Sequence, residues 1–249
     1  MNMLDGKVAV VTGGSSGIGL AIAMLFAAEG ARLVITGRNA RALDQAAALV
    51  GPGTLAIAGD VADPDHHAEV AETLATRFGG LDIYVANAGM NILHYSAAVT
   101  PEEFDTLFAV NARGAFFGVQ TVTPIMRNGG AIVLTGSLAS SRVFEKHAVY
   151  AGTKAALGAF ARSWAIELKD RSIRVNVLSP GPTETAIIGK MGIAPENRAA
   201  FEREVAASIP LGRLGRPAEL ASAALFLASD LASFVTGVEL KVDGGMALL

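Results

Sequence analysis

Cysteine is absent from the 249 residues, which excludes disulfides, thiolate catalysis and cysteine metal sites. The absence is compatible with a reducing cytosol. Charged residues make up only 17% of the chain and the formal net charge is −3. Such a balance gives no reason to expect nucleic acid or an acidic membrane as a partner. No apolar run approaches the roughly 18 residues that a membrane-spanning helix needs. The opening stretch MNMLDGKVAVVTGG carries one lysine and reaches turn glycines early, unlike a secretory signal. A cytoplasmic protein is the expectation. A metal site is not expected either. His66 and His67 stand beside Asp63 and Asp65, but adjacent residues do not share a helix face. They read as a solvated first turn of a helix.

No linker, repeat or low-complexity stretch divides the chain, so one domain over 1–249 is expected. Short apolar runs alternate with Ala-rich segments. Strands are predicted at Lys7–Thr12, Arg32–Thr36, Thr54–Ala58, Leu81–Ala86, Ala131–Thr135, Ile173–Leu178 and Val238–Val242. They are almost wholly apolar, as in a parallel sheet covered on both faces. Helices are predicted near Ile18–Glu29, Ala40–Val50, Pro64–Phe78, Pro101–Gln120, Val149–Lys169 and Pro217–Ala228. This alternation predicts a doubly wound α/β fold. The largest break is 181–210, with a short helix expected at Pro195–Ala207. A long excursion at a strand's C-terminal end is a lid candidate, about 182–210.

The stretch TGGSSGIG, Thr12–Gly19, lies between a strand and a helix, and half of its residues are glycine. A helix N-terminus offers free N–H groups and partial positive charge, and glycines let a phosphate approach them. A P-loop needs a lysine where Leu20 stands, so that reading fails. A dinucleotide site spaced Gly13-x3-Gly17-x-Gly19 remains. Sites for NAD place an acid at the end of the second strand to bind the ribose 2′-hydroxyl. Here Arg38 occupies the turn and no acid is present. An arginine pairs with a 2′-phosphate, so NADP(H) is favoured, with NAD(H) as the alternative. Asp60, after the third strand, is a candidate acceptor for the adenine amino group.

Tyr150 and Lys154 are four residues apart and share a helix face. A nearby cation lowers a phenol's pKa and fits it for proton transfer. Ser137 ends the fifth strand, where its hydroxyl can hold a carbonyl oxygen. Asn87-Ala88-Gly89 ends the fourth, and Pro180-Gly181 the sixth.

Taken together, TGGSSGIG, Asn87-Ala88-Gly89, Asn111, Ser137, Tyr150-x3-Lys154, PGPTET at 180–185 and Val242-Asp243-Gly244-Gly245 resemble the short-chain dehydrogenases/reductases along the whole chain. The resemblance implies one Rossmann-type domain with a seven-stranded parallel sheet. It implies catalytic roles for Asn111, Ser137, Tyr150 and Lys154. Tyr150 would be the acid or base, Lys154 would hold the nicotinamide ribose and lower the tyrosine pKa, and Ser137 would orient the carbonyl. Asn111 would support a water leading from Lys154 to solvent. Gly13, Ser15, Ser16, Gly17, Ile18 and Gly19 would surround the pyrophosphate and adenosine ribose. Asp60 and Val61 would flank the adenine. Asn87, Ala88 and Gly89 would lie along the ribose and nicotinamide, and Pro180, Gly181, Thr183 and Thr185 would fix the carboxamide. A homotetramer formed through the long helices and the C-terminal strand region is also implied.

The expected activity is hydride transfer between a nicotinamide and a ketone or secondary alcohol. A same-fold epimerase or dehydratase and a non-catalytic dinucleotide sensor stay open. Candidate substrate-pocket residues are Ile92, Leu93 and His94; Leu138, Val143, Phe144 and His147; and Ile187, Ile188 and Met191. Arg142 is a candidate carboxylate ligand, and the apolar end Met246–Leu249 a candidate subunit contact.

Overall fold

Strands β1 (Val8–Thr12) and β4 (Leu81–Ala86) are buried at every position, as strands sandwiched between helix layers must be. The structure is a computed structural model that describes residues 2–184 and 197–249. The other strands are β2 (Arg32–Gly37), β3 (Leu55–Ala58), β5 (Met126–Thr135), β6 (Arg174–Pro180) and β7 (Glu239–Val242). They form one sheet in the order β3-β2-β1-β4-β5-β6-β7. Every pairing is parallel.

The helices are α1 (Gly17–Ala28), α2 (Ala40–Val50), α3 (Pro64–Phe78), α4 (Pro101–Phe108), α5 (Gly114–Val122), α6 (Ala148–Glu167), α7 (Arg198–Ala207) and α8 (Pro217–Ala228). One face of the sheet is covered by α1, α2 and α8, around Ile22, Phe26, Leu43 and Leu220. The other is covered by α3, α5 and α6, around Leu74, Val119, Leu157 and Trp164. Local signals set the ends of α3. Asp63 accepts a hydrogen bond from the Asp65 N–H at 3.0 Å, Pro64 starts the helix, and Gly79 closes it at φ 67°. Each suits its position.

Three expectations need correction. The single helix expected over 101–120 is two helices joined by a π-helical turn, Ala109–Arg113. A π turn adds one residue to the helical circuit and brings Asn111 inward, where it is 1% exposed. Next, β5 begins at Met126, which pairs with Leu81 ahead of an irregularity in register. Its Asn128-Gly129-Gly130 segment reads as a turn in sequence. Last, His66 and His67 are buried rather than solvated. His67 Nε2 donates to the Val61 carbonyl at 2.8 Å, and the His66 ring lies against Gly59, where a Cβ would come within 2.0 Å of Nδ1.

The lid candidate is described only at its ends. Its helix is described over Arg198–Ala207, and the expected start at Pro195 lies outside the described residues. Phe201 and Val205 of that helix pack on Leu138, Ile209, Leu214 and Met246. Thr185, Ile187, Ile188 and Met191 lie outside the described residues.

Candidate active site

Chain connections leave β1 and β4 toward opposite edges of the sheet. Ligands of open α/β sheets bind at such a switch point, beyond the carboxyl ends of the strands. The turn after β1 is shaped by Gly13 at φ 66° and Gly17 at φ 55°, a region that favours glycine. At the start of α1, Ser16 makes no side-chain cap and the first turn holds no acid. Its N–H groups therefore lack a side-chain partner at the positive end of the helix. Gly19 packs so closely that a Cβ would lie 2.3 Å from the Gly13 carbonyl oxygen and 2.4 Å from Asn87 Nδ2. These observations describe an anion cradle with a bare backbone floor, and a dinucleotide pyrophosphate fits it.

Asn87 ties this floor together. Its Nδ2 donates to the Thr12 carbonyl at 3.0 Å and its Oδ1 accepts from Thr135 Oγ1 at 3.3 Å. Thr12 Oγ1 in turn accepts from the N–H groups of Asn87 and Ala88, both at 3.0 Å. The Asn87 amide thus joins the ends of β1, β4 and β5. Beyond the ends of β2 and β3, Arg38 and Asp60 face one another 4.0 Å apart, both solvent-accessible.

At the other side, Ser137 follows β5 and its Oγ accepts from the Ala139 N–H at 3.1 Å. The Ser137 hydroxyl faces the Tyr150 phenol across the same site. Lys154 is 5% exposed, and its Nζ donates to the Thr135 carbonyl at 2.8 Å. The Nζ lies 5.9 Å from the centre of the Tyr150 ring. Asn111 Nδ2 donates to Thr153 Oγ1 at 3.2 Å and to the Met90 carbonyl at 2.9 Å. A Cβ on Gly89 would lie 3.3 Å from both Asn111 Oδ1 and Lys154 Nζ. Asn111, Ser137, Tyr150 and Lys154 are thus gathered by β5, α6 and the π turn around Gly89.

Burial pulls the Lys154 ammonium down to about 8. Burial pushes the Tyr150 phenol above its ordinary value, and the neighbouring Ser137 hydroxyl acts the other way. The expected lowering of Tyr150 by Lys154 is not what this arrangement shows. The ammonium is turned to the Thr135 carbonyl, and desolvation dominates at the phenol.

The chain matches the family model described as enoyl-(acyl carrier protein) reductase over residues 13–247. It is 40% identical over 246 residues to an oxidoreductase, asL5, of Sarocladium schorii, covering 98% of this chain and 97% of that one. It is 39% identical to versicolorin reductase 1 of Aspergillus parasiticus, covering 97% of each. A solved short-chain dehydrogenase/reductase family protein superposes with a TM-score of 0.88 at 41% identity, over 99% of this chain and 100% of that one. The chain belongs to the short-chain dehydrogenase/reductase family. Its members are oxidoreductases that depend on NAD(P)(H).

In this short-chain dehydrogenase/reductase, Pro180 ends β6 and the Gly181 N–H donates to the Val242 carbonyl at 3.0 Å. Thr183 is buried and its hydroxyl donates to the Gly181 carbonyl at 2.9 Å. Of the pocket candidates, Leu138 and Phe144 join an apolar cluster with Met246. His147 meets the Tyr150 ring edge-on, 6.0 Å between centres. Val143 is 94% exposed. Arg142 donates to the Met246 carbonyl and lies over the Phe144 ring, so its guanidinium is already engaged. Met246 is buried within its own chain, while Leu248 and Leu249 are exposed. Sequence reasoning missed Thr153 and Met90, the partners of Asn111. No motif marks them, because Met90 acts through its backbone. Among the described residues no group of acids and histidines could hold a metal, and no helix is long and apolar enough to cross a membrane.

Proposed function

We propose that this protein reduces a ketone to a secondary alcohol with NADP(H). The observation that carries the reading is the buried Lys154 ammonium, 5.9 Å from the centre of the Tyr150 ring and held on the Thr135 carbonyl at the sheet's carboxyl edge, next to Ser137. The nicotinamide dinucleotide, when bound, supplies the hydride. Negative charge then grows on the carbonyl oxygen, where the Ser137 and Tyr150 hydroxyls are preset donors. Tyr150 delivers its proton to that oxygen. A phenol held above its ordinary pKa by burial stays protonated until then, which suits an acid in the reductive direction. Lys154 and Asn111 hold the ribose side of the site and a route for proton return.

Gly13, Ser15, Ser16, Gly17, Ile18 and Gly19 receive the pyrophosphate and its ribose, and Arg38 pairs with the 2′-phosphate. Asp60 and Val61 flank the adenine. Ala88, Gly89, Pro180, Gly181, Thr183 and Thr185 line the nicotinamide end. NAD(H) is the alternative cofactor. The segment after Thr183 serves as the substrate lid, and Leu138, Phe144 and His147 favour a largely apolar substrate. The relatives named versicolorin reductases support reduction as the working direction. The exposed Phe104 and Phe117 support a homotetramer that covers the α4–α5 and α6 faces. The cysteine-free sequence supports action in the cytosol.

The test is a panel of ketones with the purified protein and NADPH or NADH. The reading expects one alcohol formed per NADPH consumed, and slower turnover with NADH. Product without net cofactor consumption would show a same-fold isomerising enzyme. Tight binding with no turnover of any compound would leave a dinucleotide sensor.

A further inference from the structure

The hydrogen bonds of the Ser137 turn continue to the edge strand of the sheet. Ser140 ends the short turn after Ser137, and its hydroxyl oxygen lies 2.7 Å from the Ser137 carbonyl oxygen. The same hydroxyl lies 2.9 Å from Oε1 of Glu239, the first residue of β7. That carboxylate oxygen also accepts from Ser179 Oγ at 2.6 Å. Ser179 is completely buried on β6, and it abuts the residue before Ser137. A Cβ on Gly136 would come within 2.5 Å of Ser179 Oγ. None of the ion pairs among the described residues includes Glu239. Glu239 is exposed, and its Oε1 accepts from two serines packed behind Ser137.

We infer that Glu239 is a positioning residue that holds Ser137, through Ser140, in the place from which its hydroxyl faces the substrate site. The inference rests on the proposed role of Ser137. A serine hydroxyl carries one hydrogen, and Ser140 has two acceptors within reach. The carboxylate is the stronger acceptor, because charge-assisted hydrogen bonds are the stronger kind. It fixes the Ser140 rotamer so that the single hydrogen is shared with the Ser137 carbonyl. It also satisfies the buried Ser179 hydroxyl. Without it, Ser179 loses its acceptor and Ser140 is free to turn away. The Ser137 backbone then loses its only side-chain restraint among the described hydrogen bonds. A donor helps a developing oxyanion only when held in advance.

The experiment compares Glu239→Ala, Glu239→Gln, Ser140→Ala and the Glu239→Ala/Ser140→Ala double variant, with Ser137→Ala alongside. Each is assayed for turnover and for NADPH dissociation constant, and a melting curve checks folding. Glu239→Ala and Ser140→Ala should each lower kcat about tenfold, the scale of a misplaced oxyanion donor rather than its removal. NADPH affinity should be unchanged. Glu239→Gln keeps an oxygen acceptor and should restore kcat to within about threefold of the parent. The double variant should be no slower than either single one, since coupled residues are not additive. Wild-type kcat in Glu239→Ala, fully additive losses, or NADPH affinity falling in step with kcat would each overturn the inference. If Glu239→Ala fails to fold, Ser140→Ala and its rescue by Ser140→Thr decide the case. An inactive Ser137→Ala beside a fully active Glu239→Ala would sink the inference alone. A fully active Ser137→Ala would remove the underlying reading as well.

Discussion

Asn111 and Met90 exchange a reciprocal pair of hydrogen bonds: Asn111 Nδ2 donates to the Met90 carbonyl at 2.9 Å, and the Met90 N–H donates to Asn111 Oδ1 at 2.8 Å. A primary amide is needed for this, because one side chain must donate and accept at once. The pair clamps the segment after β4 to the π turn, and the same amide reaches Thr153 on α6. Asn111→Leu would strand buried backbone groups. It should cost about 1–3 kcal/mol of stability and lower turnover at least tenfold. Asn111→Asp keeps the acceptor but loses the donor, and should fall between. Thermal melting and steady-state assays read both effects, and unchanged melting in Asn111→Leu would refute the clamp.

Gly19→Ala tests the cradle. The added methyl group would meet the Gly13 carbonyl oxygen at 2.3 Å, and backbone cannot yield as a flexible side chain can. Dinucleotide affinity should fall at least tenfold by fluorescence titration, about 1.4 kcal/mol. Gly53→Ala is the control. That glycine has positive φ, unlike Gly19, and nothing within 4 Å of its Cβ position, so only backbone strain is added, away from the cradle. Equal losses of affinity in the two variants would contradict a local role for Gly19.

Arg38→Ala tests cofactor choice. Hydrogen bonds to charged groups contribute about 1.5–3 kcal/mol, so NADPH should bind roughly 10- to 100-fold more weakly. NADH affinity should stay the same or improve slightly. Equal effects on both dinucleotides would show that Arg38 does not read the 2′-phosphate.

The two buried histidines make the fold acid-sensitive. Among the described residues neither ring nitrogen of His66 has a hydrogen-bond partner, and burial lowers its pKa from 6.5 despite Glu69, Asp63 and Asp60 nearby. Burial lowers His67 as well, opposed by its bond to Val61. Below pH 6.5 the unfolded chain takes up protons that the folded chain resists, so stability falls as pH drops. Above that value the contribution is constant. His66→Leu should flatten the fall between about pH 6.5 and 5, seen in denaturant midpoints. An unchanged pH profile would contradict it.

The fold was legible because its strands are mostly apolar and its helices carry local end signals, as at Asp63-Pro64 and Gly79. The parallel order follows from strand–helix alternation. The placement of residues marked by type and spacing was also legible: Gly13 and Gly19 meet where β1 turns into α1, and Tyr150 and Lys154 both lie on α6. What escaped depends on tertiary approach. The π turn around Asn111 has no sequence mark, since Asn within a helix is unremarkable. The burial of His66 and His67 depends on Gly59 and Val61 packing beneath a polar first turn. Arg142 reads as a free cation until the chain end folds back onto it. The Lys154 ammonium sits near Tyr150 as the spacing implies, yet a backbone carbonyl from β5 takes its hydrogen bond.

The central claim is that Tyr150 supplies the proton in a hydride-transfer reaction. Its most direct test is Tyr150→Phe, which keeps the ring and removes only the hydroxyl. Single-turnover reduction with NADPH and a ketone accepted by the parent protein should slow by about 100- to 10,000-fold. NADPH affinity should stay within about twofold, since 1.4 kcal/mol would already be tenfold. Turnover near that of the parent, with NADPH still bound, would contradict the account.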